Sequence, residues 1–461
     1  MKVKLAGYNI DYELINRMKE NGDSLTPEVL SASYARISRD PREISTLRKE
    51  ARQQVEKARK SNENIVFGLG HSSVAEHAVF NFDIMGISRL AVEALESFRL
   101  ASYTEKSQRY IKIGKDFIVP AEIREQGLAG RFNGLINYLE EQYNELYRKM
   151  SGRVDKSTAK EDARYLLPLA TSAQLGMTVN ARELEYMVSR LASHPLRELQ
   201  ELAEALTSRS SEIAPSLIKY PEASEYFTGS HTSRNRLNAM TESDPQLNDR
   251  VILVSAPGNS DELIAAAILF SSGGCGIEQA ARKAEMMTGS EKSDLITETL
   301  INIQPHDSVW REFEFVNFIF QASVSASCFA QLKRHRMATI VAQPYIPDAP
   351  VRIPDSAREN EKIFHTVSRR SAQLYRKIMD AAGREAAEYA LLNAHRRRVL
   401  VGMNLRELYH FSRLRSDIHA QWEIRELSER ICSLVREEAP MASVLLGGKD
   451  NFEELKEKLE D

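Results

Sequence analysis

The chain carries the same series of segments twice, so whatever architecture it adopts must be one that a single module can make two times over. VKLAGY from Val3 and VILVSAP from Val251 both read as short opening strands. Each is followed by an apolar helical stretch, EVLSASYARI from Glu28 and ELIAAAILFS from Glu262. Next come His71-Ser72-Ser73 and His306-Asp307-Ser308, then the alternating segments VFNFDIM from Val79 and FVNFIFQ from Phe315, which have the two-residue period of a half-buried strand. Further on, EDARYLLP (161–168) matches EAAEYALL (385–392) in register with VNARELEYM (179–187) and MNLRELYHF (403–411). Ala214-Pro215 and Ala439-Pro440 close the two copies. Any one of these pairs is what two unrelated amphipathic helices would show. The common order at nearly constant offset means duplication. The expected organisation is two α+β modules, 1–226 and 251–461, joined by a polar linker at 227–250.

The copies have lost different things. SFRLASYTEKSQRY (97–110) aligns without a gap on the segment that contains KRHRMATIVAQPY (333–345). Copy one keeps Glu105, Ser107 and Arg109 but has Ser97 and Phe98 where copy two has Arg334 and His335. Copy two has Ala342 and Pro344 in place of Glu105 and Ser107. Taken alone, Arg334-His335-Arg336 reads as a solvated basic face, and the Glu105 to Arg109 stretch as a polar turn. Chemically, guanidinium forks bind phosphate oxygens in pairs, and a loop of hydroxyls, backbone N–H groups and a carboxylate suits an anion beside a hydroxyl or ring N–H. Arg415 lies in HFSRLRSDIHAQWEI on a helix with apolar Leu405, Leu408 and Phe411 at helical spacing, among Asn404, Arg406, Gln421 and Glu423. On its own that helix reads as a salt-bridge ladder.

Bulk composition narrows the class. With 461 residues, 42% hydrophobic and 28% charged, the chain can bury more than one core. A net charge of −3 supplies no general field for nucleic acid or acidic membranes, so any anion must be met by a local Arg cluster. Cys275, Cys328 and Cys432 are widely spaced and support neither a disulfide framework nor a metal site, which suits a reduced cytoplasmic compartment. MKVKLAGYNI lacks the apolar core of a signal peptide, and LIAAAILF (263–270) is too short to span a bilayer.

Taken in module order from the two copies, the motifs His-x-Ser-x-x-Glu-His (71–77), Arg-His-Arg (334–336), Ala-Arg-x-x-Leu-Pro (163–168), Asn-x-Arg (404–406) and Arg-x-Arg-x-x-x-x-Ala-Gln-x-Glu (413–423) resemble those of flavin-dependent thymidylate synthase. The resemblance covers nearly the whole chain, twice over, with neither copy complete. It implies an FAD-dependent methyltransferase that converts dUMP to dTMP with methylenetetrahydrofolate and NADPH. Family members are homotetramers of one module with sites assembled from several subunits. Two fused modules would therefore make a homodimer into a pseudo-tetramer.

By this resemblance, Arg415 faces the pyrimidine ring as the catalytic group, and Gln331 and Arg334 clamp the nucleotide. The opposing wall, Glu105, Ser107, Gln108, Arg109 and Arg164, survives in copy one. At the corresponding positions copy one has Ala94, Ser97 and Leu191, and copy two has Ala342, Pro344 and Glu388. The resemblance assigns FAD to Ser73, Glu76 and Glu105 of copy one and to Arg334, His335, Arg336, Asn404, Arg406 and His410 of copy two. Copy two is expected to have replaced Glu76 by Arg311 and His77 by Glu312. Two readings stand beside the enzyme: a relative that binds FAD and a pyrimidine nucleotide but uses another acceptor, and a non-catalytic nucleotide-binding protein. Independent decay of both copies would favour the last; reciprocal retention argues against it.

Overall fold

A computed structural model describes residues 1–11, 26–37, 40–107, 116–238, 240 and 247–460. It contains two four-stranded antiparallel sheets with the same strand order, β1-β2-β4-β3 and β5-β6-β8-β7. The first comprises β1 (Lys2–Tyr8), β2 (Val79–Ser88), β3 (Ala101–Glu105) and β4 (Ser172–Asn180). The second comprises β5 (Ile252–Ser255), β6 (Asn317–Ser325), β7 (Thr339–Ala342) and β8 (Arg396–Asn404). In β2 the alternation buries Phe80, Phe82 and Ile84, and in β6 it buries Phe318, Phe320, Ala322 and Val324, leaving the intervening residues more exposed. The fold is thus α+β, built twice, and among the described residues no helix is long and apolar enough to cross a membrane.

Both modules end their second strand on a serine that caps the next helix. Ser88 Oγ accepts the Ala91 N–H, and Ser325 Oγ accepts that of Cys328. A buried glutamate holds each serine: Glu198 bonds the Ser88 N–H and hydroxyl at 2.7 and 2.6 Å, and Glu423 bonds those of Ser325 at 3.0 and 2.5 Å. Both sheets also end their fourth strand on an asparagine, Asn180 or Asn404, whose side chain accepts the N–H of Glu183 or Glu407 and starts the following helix. Local capping chemistry therefore sets the element ends identically in both copies.

The copies differ inside β2. Val79 pairs with Asn180 and Asn317 with Asn404, while Ser88 and Ser325 close the two strands, so β2 has one residue more than β6. Gly86 takes it up in a bulge between Met85 and Ile87, at φ +70°, a conformation that glycine adopts without steric cost. Alignment of Val79 with Phe315 is therefore corrected to Val79 with Asn317.

By spatial contact the chain divides into 1–243 with 354–392, and 244–353 with 393–461. These compact units are a different division from the sequence modules, because 354–392 belongs to the second copy yet packs in the first unit. There helix Ala129–Met150 packs on helix Glu361–Ala382, with Arg370 lying 3.9 Å from the Tyr138 ring. The Leu169 N–H donates to the Leu391 carbonyl at 2.7 Å, and the Tyr389 hydroxyl donates to Glu198 at 2.5 Å. The polar stretch expected as a linker is helical from Glu225 to Asn238. Phe227 on it sits 5.9 Å from the Tyr186 ring and under Arg190 at 4.6 Å, much as Phe452 lies under Arg413 at 4.3 Å in the second unit. None of the residues of that helix is buried, in keeping with its largely polar sequence.

His231 of that helix packs against a histidine that confers acid sensitivity. His194 is mostly buried, its Nδ1 accepts the Leu196 N–H at 3.1 Å, and its ring meets His231 at 5.0 Å. Burial, then the charges of His231 and Arg190, push its pKa from 6.5 down to about 3. The folded state therefore binds fewer protons than the unfolded one. Stability from this group is complete above pH 6.5 and is lost as pH falls towards 3, by up to roughly 4–5 kcal/mol. Unfolding of His194→Gln, followed in urea across that range, is expected to show a flatter pH dependence than the parent; an unchanged slope would refute the assignment.

Candidate functional site

The second unit brings together Gln331, His335, Glu407 and Arg415. Gln331 lies in the last turn of helix Ala326–Leu332, the helix that Ser325 caps and Glu423 anchors. Arg334, His335 and Arg336 follow before β7. Glu407 and Arg415 lie at opposite ends of helix Leu405–Arg415, which buries Leu405, Leu408 and Phe411 against the sheet. Sheet packing thus brings the two ends of the assembly together across some eighty residues of chain.

Arg415 Nε donates to His335 Nε2 at 2.9 Å, and its Nη2 donates to the Gln331 carbonyl at 3.2 Å. His335 Nδ1 faces Glu407 Oε1 at 3.1 Å. His335 is only 3% exposed, and its ring packs edge-on against Phe411 at 4.8 Å and His410 at 5.7 Å. Burial, with the positive charges of Arg415 and His410, holds its pKa well below the ordinary value. Burial also raises the Glu407 pKa. The Gln331 amide meets the Gln421 side chain at 3.4 Å, and Gln421 caps helix Trp422–Glu438. His335, assigned to the flavin by resemblance, has both ring nitrogens engaged by protein, Nδ1 with Glu407 and Nε2 with Arg415.

Copy one shows what this arrangement becomes without its polar members. Phe98 takes the place of His335 and is likewise buried, at 6% exposure. Tyr186 takes that of His410, and the two rings keep the edge-on contact, at 5.8 Å. Leu191 stands for Arg415. Glu183 remains at the Glu407 position but accepts the Leu100 N–H at 3.4 Å. Packing shape is preserved while the charged head is gone.

Beside this cluster, a cavity of about 300 Å³ is lined by His306, Asp307, Ser308, Arg406, His410, Arg413 and Lys449, among others. Arg406 bonds the Val309 carbonyl and, at 2.8 Å, Glu314. Arg413 donates to the Pro305 carbonyl at 2.6 Å. Arg334 is half-buried and Arg336 exposed.

In the first unit, Ser73 and Glu76 lie exposed on the 3₁₀ turn Ser72–His77, where Glu76 pairs with Arg182 at 2.5 Å. This pair is the counterpart of Glu314 with Arg406, each arginine lying two residues beyond its capping asparagine. The expectation that copy two had lost Glu76 to Arg311 is therefore corrected: Glu314 keeps the carboxylate, and the extra residues lie before it. Its signal was the Glu-x-x-strand spacing, hidden by the length difference and the Gly86 bulge. Glu105 ends β3, and Ser107 is half-buried two residues later. Arg164 is buried in the turn Arg164–Leu166, its Nε donating to the Glu161 carbonyl. Gln108 and Arg109 lie outside the described residues. Burial pushes the Cys328 and Cys432 thiols up, away from nucleophilic use.

The family model for "Thymidylate synthase complementing protein" matches residues 19–216 and 252–441. A protein of Thermoplasma acidophilum named UPF0159 protein Ta1429 is 22% identical across 89% of this chain and 92% of its own length. A flavin-dependent thymidylate synthase of Clostridium tetani is 30% identical over 42% of this chain and 82% of its own. One of Sulfolobus acidocaldarius is 34% identical over 33% and 56%. A crystal structure of the flavin-dependent thymidylate synthase of Helicobacter pylori complexed with FAD and dUMP aligns with 48% of this chain and all of that one, at 21% identity and a TM-score of 0.33.

Proposed function

The chain belongs to the thymidylate synthase complementing protein family, matched in both of its halves, and from that premise we propose that it is an FAD-dependent thymidylate synthase. It methylates dUMP to dTMP with methylenetetrahydrofolate and NADPH, acting as a cytoplasmic homodimer of two-module chains. The observation that carries this is the tethered Arg415: copy two holds a guanidinium from two sides, through His335 and Gln331, where copy one has only Phe98 and Leu191.

Arg415 stabilises negative charge developing on the pyrimidine, an electrostatic role that requires a fixed donor. Arg334 and Gln331 hold the nucleotide, opposed by Glu105, Ser107, Gln108, Arg109 and Arg164 of copy one; each active site thus draws on both modules. Ser73, Glu76, Arg336, Asn404, Arg406 and His410 serve the flavin. The residues present fit FAD: the cavity beside His410 gathers Arg406, Arg413 and Lys449, and the buried Arg413 Nε has no hydrogen-bond partner among the described residues. Such donors suit a diphosphate. Bound FAD supplies the redox chemistry that the amino acids lack. The protein's own share is to orient the nucleotide and exclude water.

The purified protein, reconstituted with FAD, should hold flavin stoichiometrically and release the C5 hydrogen of labelled dUMP only when folate and NADPH are present. Failure to retain flavin, or no release from dUMP, overturns the reading. Preference for another pyrimidine nucleotide would instead favour the diverged relative, although Glu314 paired with Arg406 keeps in copy two the carboxylate that Glu76 supplies in copy one.

A further inference from the structure

Glu407 has two explanations. It occupies the third position of a helix capped by Asn404, where an acidic residue is favoured by the helix dipole alone. Glu183 occupies the same position after Asn180, so this explanation applies equally to both. Only Glu407 faces a histidine.

A guanidinium donates and never accepts. The 2.9 Å contact from Arg415 Nε therefore requires a bare lone pair on His335 Nε2. A neutral imidazole has one N–H, so it must sit on Nδ1, facing Glu407 at 3.1 Å. A carboxylate accepts that proton donor and offers nothing back to a bare Nδ1, so it selects this tautomer. With the other tautomer, two donors would meet and Arg415 would be pushed away.

We propose that Glu407 is a positioning residue that, by fixing the His335 tautomer, holds the Arg415 guanidinium in its working orientation. It touches neither substrate nor cofactor and acts through His335. This rests on the reading of Arg415 as the pyrimidine-facing group. The logic is that of a buried carboxylate orienting a histidine in a catalytic triad, with an arginine as the group served.

The test compares Glu407→Gln with Glu183→Gln in the full-length, flavin-loaded protein. Glutamine keeps the shape but can present an N–H to Nδ1, which admits the second tautomer. Glu407→Gln is expected to lower kcat about tenfold to a hundredfold while KM for dUMP stays within about threefold. Glu183→Gln should leave both unchanged, although the two variants should have similar thermal midpoints. ¹⁵N NMR of the His335 ring should show the Nδ1–H tautomer in the parent and a mixture in Glu407→Gln.

Equal kinetic effects of the two variants, full turnover in Glu407→Gln, or an Nε2–H tautomer in the parent would each overturn the proposal. The NMR reading needs no turnover. If the protein were inactive towards dUMP, the functional reading would fail while the tautomer experiment still decided the role of Glu407.

Discussion

Arg415→Ala is expected to lose turnover by about 10²–10³-fold while retaining bound FAD, the size of effect seen when one preorganised donor to a developing negative charge is removed. The side chain is at the end of its helix, so alanine there leaves the helix intact. It also removes the donor to His335 Nε2 and to the Gln331 carbonyl, so the site loses its order as well as its charge. Arg415→Lys should recover little, because an ammonium has no planar fork to span both acceptors. Steady-state kinetics beside the flavin absorbance would check both variants. More than a tenth of the parental rate in Arg415→Ala would remove Arg415 from the chemistry.

At neutral pH a large loss of stability is expected from substitution of Glu198. Its carboxylate accepts the Ser88 N–H, the Ser88 hydroxyl and the Tyr389 hydroxyl, all in a buried setting. Burial raises the pKa of Glu198, and burial and the adjacent carboxylate raise that of Tyr389. Glu198→Ala leaves these donors without an acceptor and opens a cavity, at a cost of about 3 kcal/mol or more. Glu198→Gln retains an acceptor for the Ser88 N–H and needs no buried charge, so it should lie within about 1 kcal/mol of the parent. Urea unfolding distinguishes them. Equal midpoints for the two variants would show that the network contributes shape alone.

Much of the scaffold was legible before the structure. The strands beginning near Val3 and Val251, the helices after Glu28 and Glu262, and the helix that carries Leu405, Leu408 and Phe411 all follow from local periodicity. Arg415 stood out because Arg-x-Arg ahead of Ala-Gln-x-Glu recurs in a known family. Glu407 did not, since a glutamate three residues after an asparagine looks like an ordinary helix start in both copies. The equivalence of Glu314 and Glu76 was obscured by an insertion ahead of the 3₁₀ turn and a bulge after it, which shifted the apparent register in opposite directions. The polar composition of 227–250 gives no sign of the helix Glu225–Asn238, whose Phe227 ring meets Tyr186 and Arg190.

By itself, the sequence determined that one α+β architecture is made twice and that the polar groups of the two copies were lost in complementary fashion. Both facts are written in neighbours a few residues apart and in the comparison of one half with the other. Only the tertiary structure decided that Glu407, His335 and Arg415 form one hydrogen-bonded chain, and that 354–392 packs with the first unit. Those outcomes depend on contacts between residues far apart along the chain. Such contacts are set by how sheets and helices bury their apolar faces, and periodicity specifies the face without naming what it meets.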